Sequence, residues 1–396
     1  MIYDFDHPPD RRNSESVKWQ TYGSDVVPMW VADMDFQSPE PVIQALLERV
    51  QHGVFGYPRD PNAQTDDQPQ LRQIIVEHLF QHNHWKVDPD AIIFLPGVVT
   101  AFNLVSLAFA VPEGGVLVQT PVYPPMLHAA QNTGAIPQEM ELTRSTDGRY
   151  LVDWEAFEAA ITPETRIFML CNPHNPVGRV FTLDELEQFA EICLRNHVLI
   201  CSDEIHCDLV YSGNRHIPIA SIDPEIASQT ITLLAPSKTY NLAGLQCSVA
   251  IILNAELRKR FLAARKGIVP WISLLGLIAA EAAYRHGNDW LEQVITYLQK
   301  NRDFLSETIQ SDFPGIQMSM PEGTYLAWLN CRDTGIEGNP YQFFLDKARL
   351  AFNDGSTFGR GGEGFVRLNF GCSRNLLIES LKRMKNSLRE YIIHNP

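Results

Sequence analysis

Two short stretches carry side chains whose types and spacing suit chemistry better than packing. Ser237-Lys238-Thr239-Tyr240-Asn241 follows an apolar run at residues 231–234, and Ser202-Asp203-Glu204-Ile205-His206 follows another at residues 197–201. Each run reads as a buried strand, so Lys238 and Asp203 stand at strand exits, where open α/β sheets bind their ligands. A lysine in such a place, taken alone, is an ordinary solvated cation. An amine and an acid at the exits of neighbouring strands are more than that. Pyridoxal 5'-phosphate needs a lysine for its aldehyde and a carboxylate for its ring nitrogen.

The elements that must position these groups are legible around them. From residue 91 onward, short β-branched runs at residues 92–95, 116–119, 167–171, 198–201, 231–234 and 249–253 alternate with helical stretches or loops. That rhythm predicts an α/β fold with a mostly parallel sheet covered by helices. Each exit offers a candidate. Pro96-Gly97-Val98-Val99 opens a helix whose free amides suit a phosphate, although many helices of such a fold begin this way. Tyr123, after the second run, either lays its ring over a flat cofactor or fills a gap in the core. Asn172-Pro173-His174-Asn175-Pro176 has two Asn-Pro steps where a turn needs one, and a cis bond there would aim the Asn175 amide at a ring substituent. Thr182 and Glu185 form a capping box that anchors the loop before them.

On the N-terminal side, Ser38-Pro39 opens a helix with Val42, Ile43, Leu46, Leu47 and Val50 on one face and Gly53 as its stop. An irregular arm, Val31-Ala32-Asp33-Met34-Asp35-Phe36, precedes that helix. After it, a Gly-punctuated turn presents Tyr57, which by itself is only a loop tyrosine. Beyond residue 253 the pattern is helical, with a break near Gly287, and a smaller α+β lobe follows. Its strand-like runs are Gly323-Thr324-Tyr325-Leu326-Ala327-Trp328-Leu329 and Gly364-Phe365-Val366-Arg367-Leu368-Asn369-Phe370. Arg367 within an apolar run is either half of an internal ion pair or a fork for a substrate carboxylate. The expected division is residues 1–50 as the N-terminal arm and part of the small domain, 51–285 as the cofactor-binding large domain and 286–396 as the C-terminal small domain.

Composition narrows the function classes. The 396 residues carry a formal charge of -15 with no basic run, which disfavours nucleic acid as a partner. The acidic, Pro-broken N-terminus resembles neither a signal nor a transit peptide, and residues 268–283 are too interrupted to span a bilayer. A cytoplasmic location is expected. Seven cysteines without a C-x-x-C pair point to reduced thiols. His78, His82 and His84 form a possible metal cluster, since residues i and i+4 such as His78 and His82 share a helix face, but no carboxylate or thiol completes a ligand set, so the reading is a solvated face and no metal.

The set Tyr57, Gly97, Tyr123, Asn175-Pro176, Asp203, Ser237-Lys238 and Arg367 resembles, in order and over nearly the whole chain, the fold-type I pyridoxal phosphate enzymes of the class I/II aminotransferase superfamily. Within it, Val31-Ala32-Asp33-Met34-Asp35-Phe36, the 53–57 turn, Asp203-Glu204-Ile205-His206 and Asn241-Leu242-Ala243-Gly244-Leu245-Gln246 are most similar to the MalY/PatB-type carbon-sulfur lyases, or cystathionine β-lyases. The resemblance implies that Lys238 holds the cofactor and acts as base, while Asp203 pairs with the ring nitrogen. Asn175 and His206 would bond the ring side bearing the phenolic oxygen, and Tyr123 would stack on the ring. Gly97, Val98, Val99 and Ser237 would bind the phosphate, and Arg367 would grip the substrate carboxylate together with Asn175 and Tyr123. Tyr57 would reach the phosphate from a partner subunit, which implies a homodimer. Two departures stand out: His206 replaces a common tyrosine, and Gln246 replaces an arginine that often neutralises the phosphate.

Three functions fit these residues. The first is a carbon-sulfur β-lyase acting on cystathionine- or cysteine-type amino acids. The second is an aminotransferase, and the third is a cofactor-binding regulatory protein.

Overall fold

The computed structural model describes residues 1–60, 62 and 70–394. Its centre is a sheet of strands β1 (Ile92–Leu95), β2 (Gly115–Thr120), β3 (Ile136–Glu141), β4 (Thr165–Cys171), β5 (Leu199–Asp203), β6 (Thr230–Leu234) and β7 (Ser248–Ile251). The spatial order is β1-β7-β6-β5-β4-β2-β3. All neighbours pair in parallel except β7, which runs antiparallel to both β1 and β6. The six strands read from the sequence are therefore present. β3 was not among them, for a physical reason: it is an edge strand, only Met140 of its six residues is buried, and Pro137 lies inside it.

Both faces of this sheet are dry, which explains the continuous apolar runs. Along β4, Ile167 and Met169 pack into one core with Val116, Val118 and Phe102, while Phe168 and Leu170 pack into another with Phe157, Leu186 and Phe189. Strand alternation sends successive side chains to opposite layers, and helices cover each layer. Thr182 caps the Leu183–Arg195 helix in the expected capping box with Glu185.

The smaller lobe has an antiparallel sheet in which Leu326–Asn330 pairs with Gln317–Met318 on one side and with Phe365–Asn369 on the other, and Asn353–Asp354 forms the far edge. The N-terminal arm belongs to this lobe. Val27 and Pro28 pair in parallel with Leu350 and Ala351, and Met29, Met34 and Phe36 enter its core. The helix Glu40–His52 forms with Gly53 as a left-handed C-cap, φ 78°. Its expected apolar face is only partly in the core. Val42 is buried, whereas Leu47 and Val50 are 47% and 51% exposed.

Candidate active site

The carboxyl ends of β1, β2, β4, β5 and β6 open into a cavity of about 640 Å³. Gly97, Val98, Val99, Tyr123, Asn175, Asp203, His206, Ser237, Lys238 and Arg367 all line it, with Trp30, Val31 and Ala32 of the arm on the small-lobe side. Tyr57 does not. It is 89% exposed, and the nearest ring is Trp271, at 5.7 Å.

Each group is placed by a local reason. Asp203 is the last residue of β5, and burial raises its carboxyl to about 7 against the opposing charge of Lys238. Its Oδ1 accepts from the Ile205 amide at 3.2 Å, and no protein donor reaches Oδ2 among the described residues. Lys238 lies in a single helical turn, Pro236–Thr239, directly after β6. Burial, reinforced by the Arg367 charge, lowers its amine to about 8, and Nζ donates to the Ala32 carbonyl at 2.6 Å. His206 is 2% exposed, its Nδ1 has no partner among the described residues, and burial holds the ring neutral.

Arg367 points inward from its strand. Nη1 donates to Asn175 Oδ1 at 2.9 Å, and Nη2 donates to Asn353 Oδ1 at 2.7 Å and to the Trp30 carbonyl at 3.1 Å. Nε has no partner, and no carboxylate of the described residues pairs with it. Its partners are therefore neutral, and burial lowers it to about 10. The internal ion pair is excluded among the described residues, which leaves a buried cation on the cavity wall with neutral hydrogen-bond partners. Asn175 precedes a cis proline, as does Asn172. Its Oδ1 is spent on Arg367, and its Nδ2 has no protein acceptor among the described residues.

These residues fit pyridoxal 5'-phosphate. The Val98–Phe109 helix starts at Gly97 with no side-chain cap, so its first amides lack partners, and a Cβ on Gly97 would meet nothing within 4 Å. A free acid oxygen on Asp203, an amine, an unpartnered His206 nitrogen and an uncapped helix start are what a pyridine nitrogen, an aldehyde, a phenolic oxygen and a phosphate require. Gln246 also lines the cavity, so arginine is replaced there by a neutral donor.

Several contributors escaped the sequence reading. Ala32 acts through its carbonyl, which side-chain types cannot reveal. Asn353 holds the fork from a two-residue edge strand. Asn369 had a signal: it lies two residues after Arg367 on one strand, hence on the same face. The histidine cluster needs a correction. His78 is buried and not solvated, with Nε2 3.0 Å from Asp208 Oδ1, and its ring lies 4.1 Å from that of His82. Among the described residues no group of three or more His, Cys, Asp or Glu could hold a metal.

The chain matches the family model for aminotransferase class I and II over residues 24–384. It is 40% identical to cystathionine beta-lyase PatB of Bacillus subtilis, over 97% of this chain and 99% of that one. It is 32% identical to protein MalY of Escherichia coli, over 98% and 99%. Among solved structures, cystalysin from Treponema denticola, which contains pyridoxal 5'-phosphate, superposes with a TM-score of 0.92 at 34% identity, covering 99% of this chain and 100% of that one.

Proposed function

The chain belongs to the class I and II aminotransferase family, and from that premise we propose that it is a pyridoxal 5'-phosphate-dependent carbon-sulfur β-lyase. It would convert cystathionine- or cysteine-type amino acids to a thiol, pyruvate and ammonia. The observation that carries the reading is the meeting of Lys238, Asp203 and a carboxylate-free Arg367 in one cavity. The choice of β-lyase over transaminase is supported by relatives named cystathionine beta-lyase at 31–40% identity across nearly the full chain.

The cofactor, when bound, supplies an electron sink for charge developing at the substrate Cα. Lys238 would hold the cofactor through its aldehyde, and its amine would serve as the base for the Cα proton. An amine at about 8 is partly neutral near neutral pH, which a base for the Cα proton requires. Asp203 would face the ring nitrogen and keep a proton there. Arg367 grips the α-carboxylate bidentately, which sets Cα before the base, and Tyr123 closes over the site. Asn175 and His206 serve the phenolic side. The Gly97, Val98 and Val99 amides and Ser237 bind the phosphate, whose charge would fall to the helix start and Tyr57 in the absence of an arginine at position 246. Loss of the Cα proton and of thiolate from Cβ gives an enamine that hydrolyses in water to pyruvate and ammonia.

Tyr57 would act from a partner subunit in a homodimer. Support for this comes from a strip in which Val54 and Phe55 are 59% exposed and Trp271 is 56% exposed, close to the outward Tyr57. The same reading divides the chain at residues 50 and 285 into arm, large domain and small domain. No helix among the described residues is long and apolar enough to cross a membrane, and we place the protein in the cytoplasm.

The test is incubation of the purified protein with L-cystathionine and no 2-oxo acid. Continuous release of pyruvate and ammonia is expected, because nothing in an elimination strands the cofactor as an amine. A requirement for added 2-oxo acid would point to an aminotransferase. A yellow protein without turnover on any sulfur amino acid would favour the regulatory role.

A further inference from the structure

Residues 30–36 form neither helix nor strand, yet side chains elsewhere in the chain hold nearly every carbonyl of the segment. Asn369 donates to the carbonyls of Val31 and Asp33. Asn241 donates to those of Met34 and Phe36 at 2.9 and 2.8 Å and accepts from the Met34 amide at 3.0 Å. Behind the segment lies a closed ionic cluster. Arg11 meets Asp33 at 2.7 Å and Asp35 at 2.8 Å, and Lys18, whose side chain is wholly buried, meets Asp35 at 3.0 Å. Trp19 Nε1 adds a bond to Asp35 at 3.0 Å. Two cations against two carboxylates leave no charge over, so the cluster can serve as a rigid anchor.

Two carbonyls of the segment are different, because each accepts from a side chain that lines the cavity, Arg367 or Lys238. The Trp30 carbonyl takes Arg367 at 3.1 Å, and the Ala32 carbonyl takes Lys238 at 2.6 Å and Tyr325 at 2.9 Å. These carbonyls are two residues apart on one strip of backbone. Moving the strip moves both acceptors together.

We propose that the cluster of Arg11, Lys18, Asp33 and Asp35, with Asn241 and Asn369, is a positioning device that sets the register of residues 30–36 and thereby fixes the carboxylate fork and the catalytic amine relative to each other. This rests on the lyase reading for the roles of Arg367 and Lys238. Lysine has a long flexible stem, and an amine freed from the cofactor needs an acceptor to hold it at Cα. The charged or titratable groups that act on Lys238 are Arg367 from its strand, Asp33 from the arm, Asp203 from β5 and His206 from the following loop. A displacement of about 1 Å in such a constellation costs on the order of a hundredfold in rate.

Two variants of the holoenzyme test this. Lys18→Met combined with Asp35→Asn removes a buried cation together with its partner, so that no charge is left unpaired. Asn369→Ser cuts the ties to Val31 and Asp33 without touching a charge. Four quantities are read: amide exchange of a peptide covering residues 29–37, the affinity of propionate followed through the visible spectrum, kcat and KM for L-cystathionine per folded molecule, and the acid limb of kcat.

We expect faster exchange confined to the arm, propionate bound about tenfold more weakly, and kcat reduced roughly ten- to a hundredfold. The acid limb should move to lower pH, because an ammonium that loses its carbonyl acceptor gives up its proton more easily. A purely structural role lowers the melting temperature and leaves the per-molecule constants and the limb in place. The proposal is overturned if both variants fold with unchanged propionate affinity, kcat and limb, whether or not arm exchange rises. If the unaltered protein releases no pyruvate from cystathionine, the lyase reading fails instead, and the arm is judged on exchange and propionate affinity alone.

Discussion

The carboxyl-terminal ends of β5 and β6 and the residues that follow each contribute two polar groups to two adjoining clusters with opposite fates. Asp203 and Lys238 face the cavity; Asp208, five residues on, and Thr239, the next residue, face the packed interior. The interior cluster is closed. Asp208 Oδ1 meets His78 at 3.0 Å, and Oδ2 accepts from Thr239 at 2.9 Å. Burial pushes Asp208 up, but His78, His82 and Thr239 outweigh it and hold the carboxyl at about 2. The cavity cluster is open. Among the described residues Asp203 keeps an oxygen without a donor and rises to about 7, and Arg367 Nε and His206 Nδ1 have no partner. A chain that satisfies one buried aspartate and leaves its neighbour unsatisfied, within a few residues, marks the second as the one that waits for a ligand.

The sharpest way to break this contrast is Lys238→Ala. Turnover should fall on the order of 10⁴-fold or more, because both the anchor and the base are lost. Borohydride reduction, which should label a peptide containing Lys238 in the unaltered protein, should label none in the variant. Label on another lysine instead would move the site. Asp203→Ala comes next, with the cofactor still attached through Lys238 and turnover down about 10²- to 10³-fold for want of charge at the ring nitrogen. Pyruvate release alongside the visible spectrum checks it, and unimpaired turnover would show that another group does this work.

Arg367→Lys has a smaller effect that separates binding from chemistry. A planar fork matches a carboxylate and an ammonium does not, so KM for amino-acid substrates should rise roughly ten- to a hundredfold while cofactor affinity is unchanged. Steady-state kinetics with two sulfur amino acids reads this directly.

The smallest effect sharpens the comparison itself. In cofactor-free protein the folded state holds the Asp203 proton between its ordinary 3.8 and about 7, where the unfolded chain has released it. Stability should therefore decline as pH rises through that window, by at most about 1.4 kcal/mol per unit. Asp208 has the opposite sign: its contribution is present above 3.8 and is lost as pH falls toward about 2. Thermal melting of cofactor-free protein from pH 2 to 8 should show both limbs. Asp203→Asn should remove only the upper decline, and reloading the cofactor should flatten it too.

Much of this molecule was legible from its residues. The six runs that became β1, β2, β4, β5, β6 and β7 were visible because a sheet buried on both faces requires unbroken apolar strands, and strand exits pointed to Asp203 and Lys238. The edge strand β3 was hidden because half-exposed residues carry no such signal. Tyr57 could be singled out only by resemblance, since its place in the chain is a surface turn.

What the sequence by itself determined is which chemical groups stand at the ends of which strands, because periodicity and turn residues act over a few neighbours. What only the tertiary structure decided is which of those groups are already satisfied. Arg367 read equally well as an ion-pair partner or a fork until Asn175, Asn353 and the Trp30 carbonyl, at separations of 192, 14 and 337 residues, proved to be its neutral partners. His78 read as solvated until Asp208, 130 residues away, was found against it. Hydrogen-bond partners of buried polar groups are set by the meeting of distant segments. Local pattern therefore cannot tell a cation paired with a carboxylate from one held only by neutral partners.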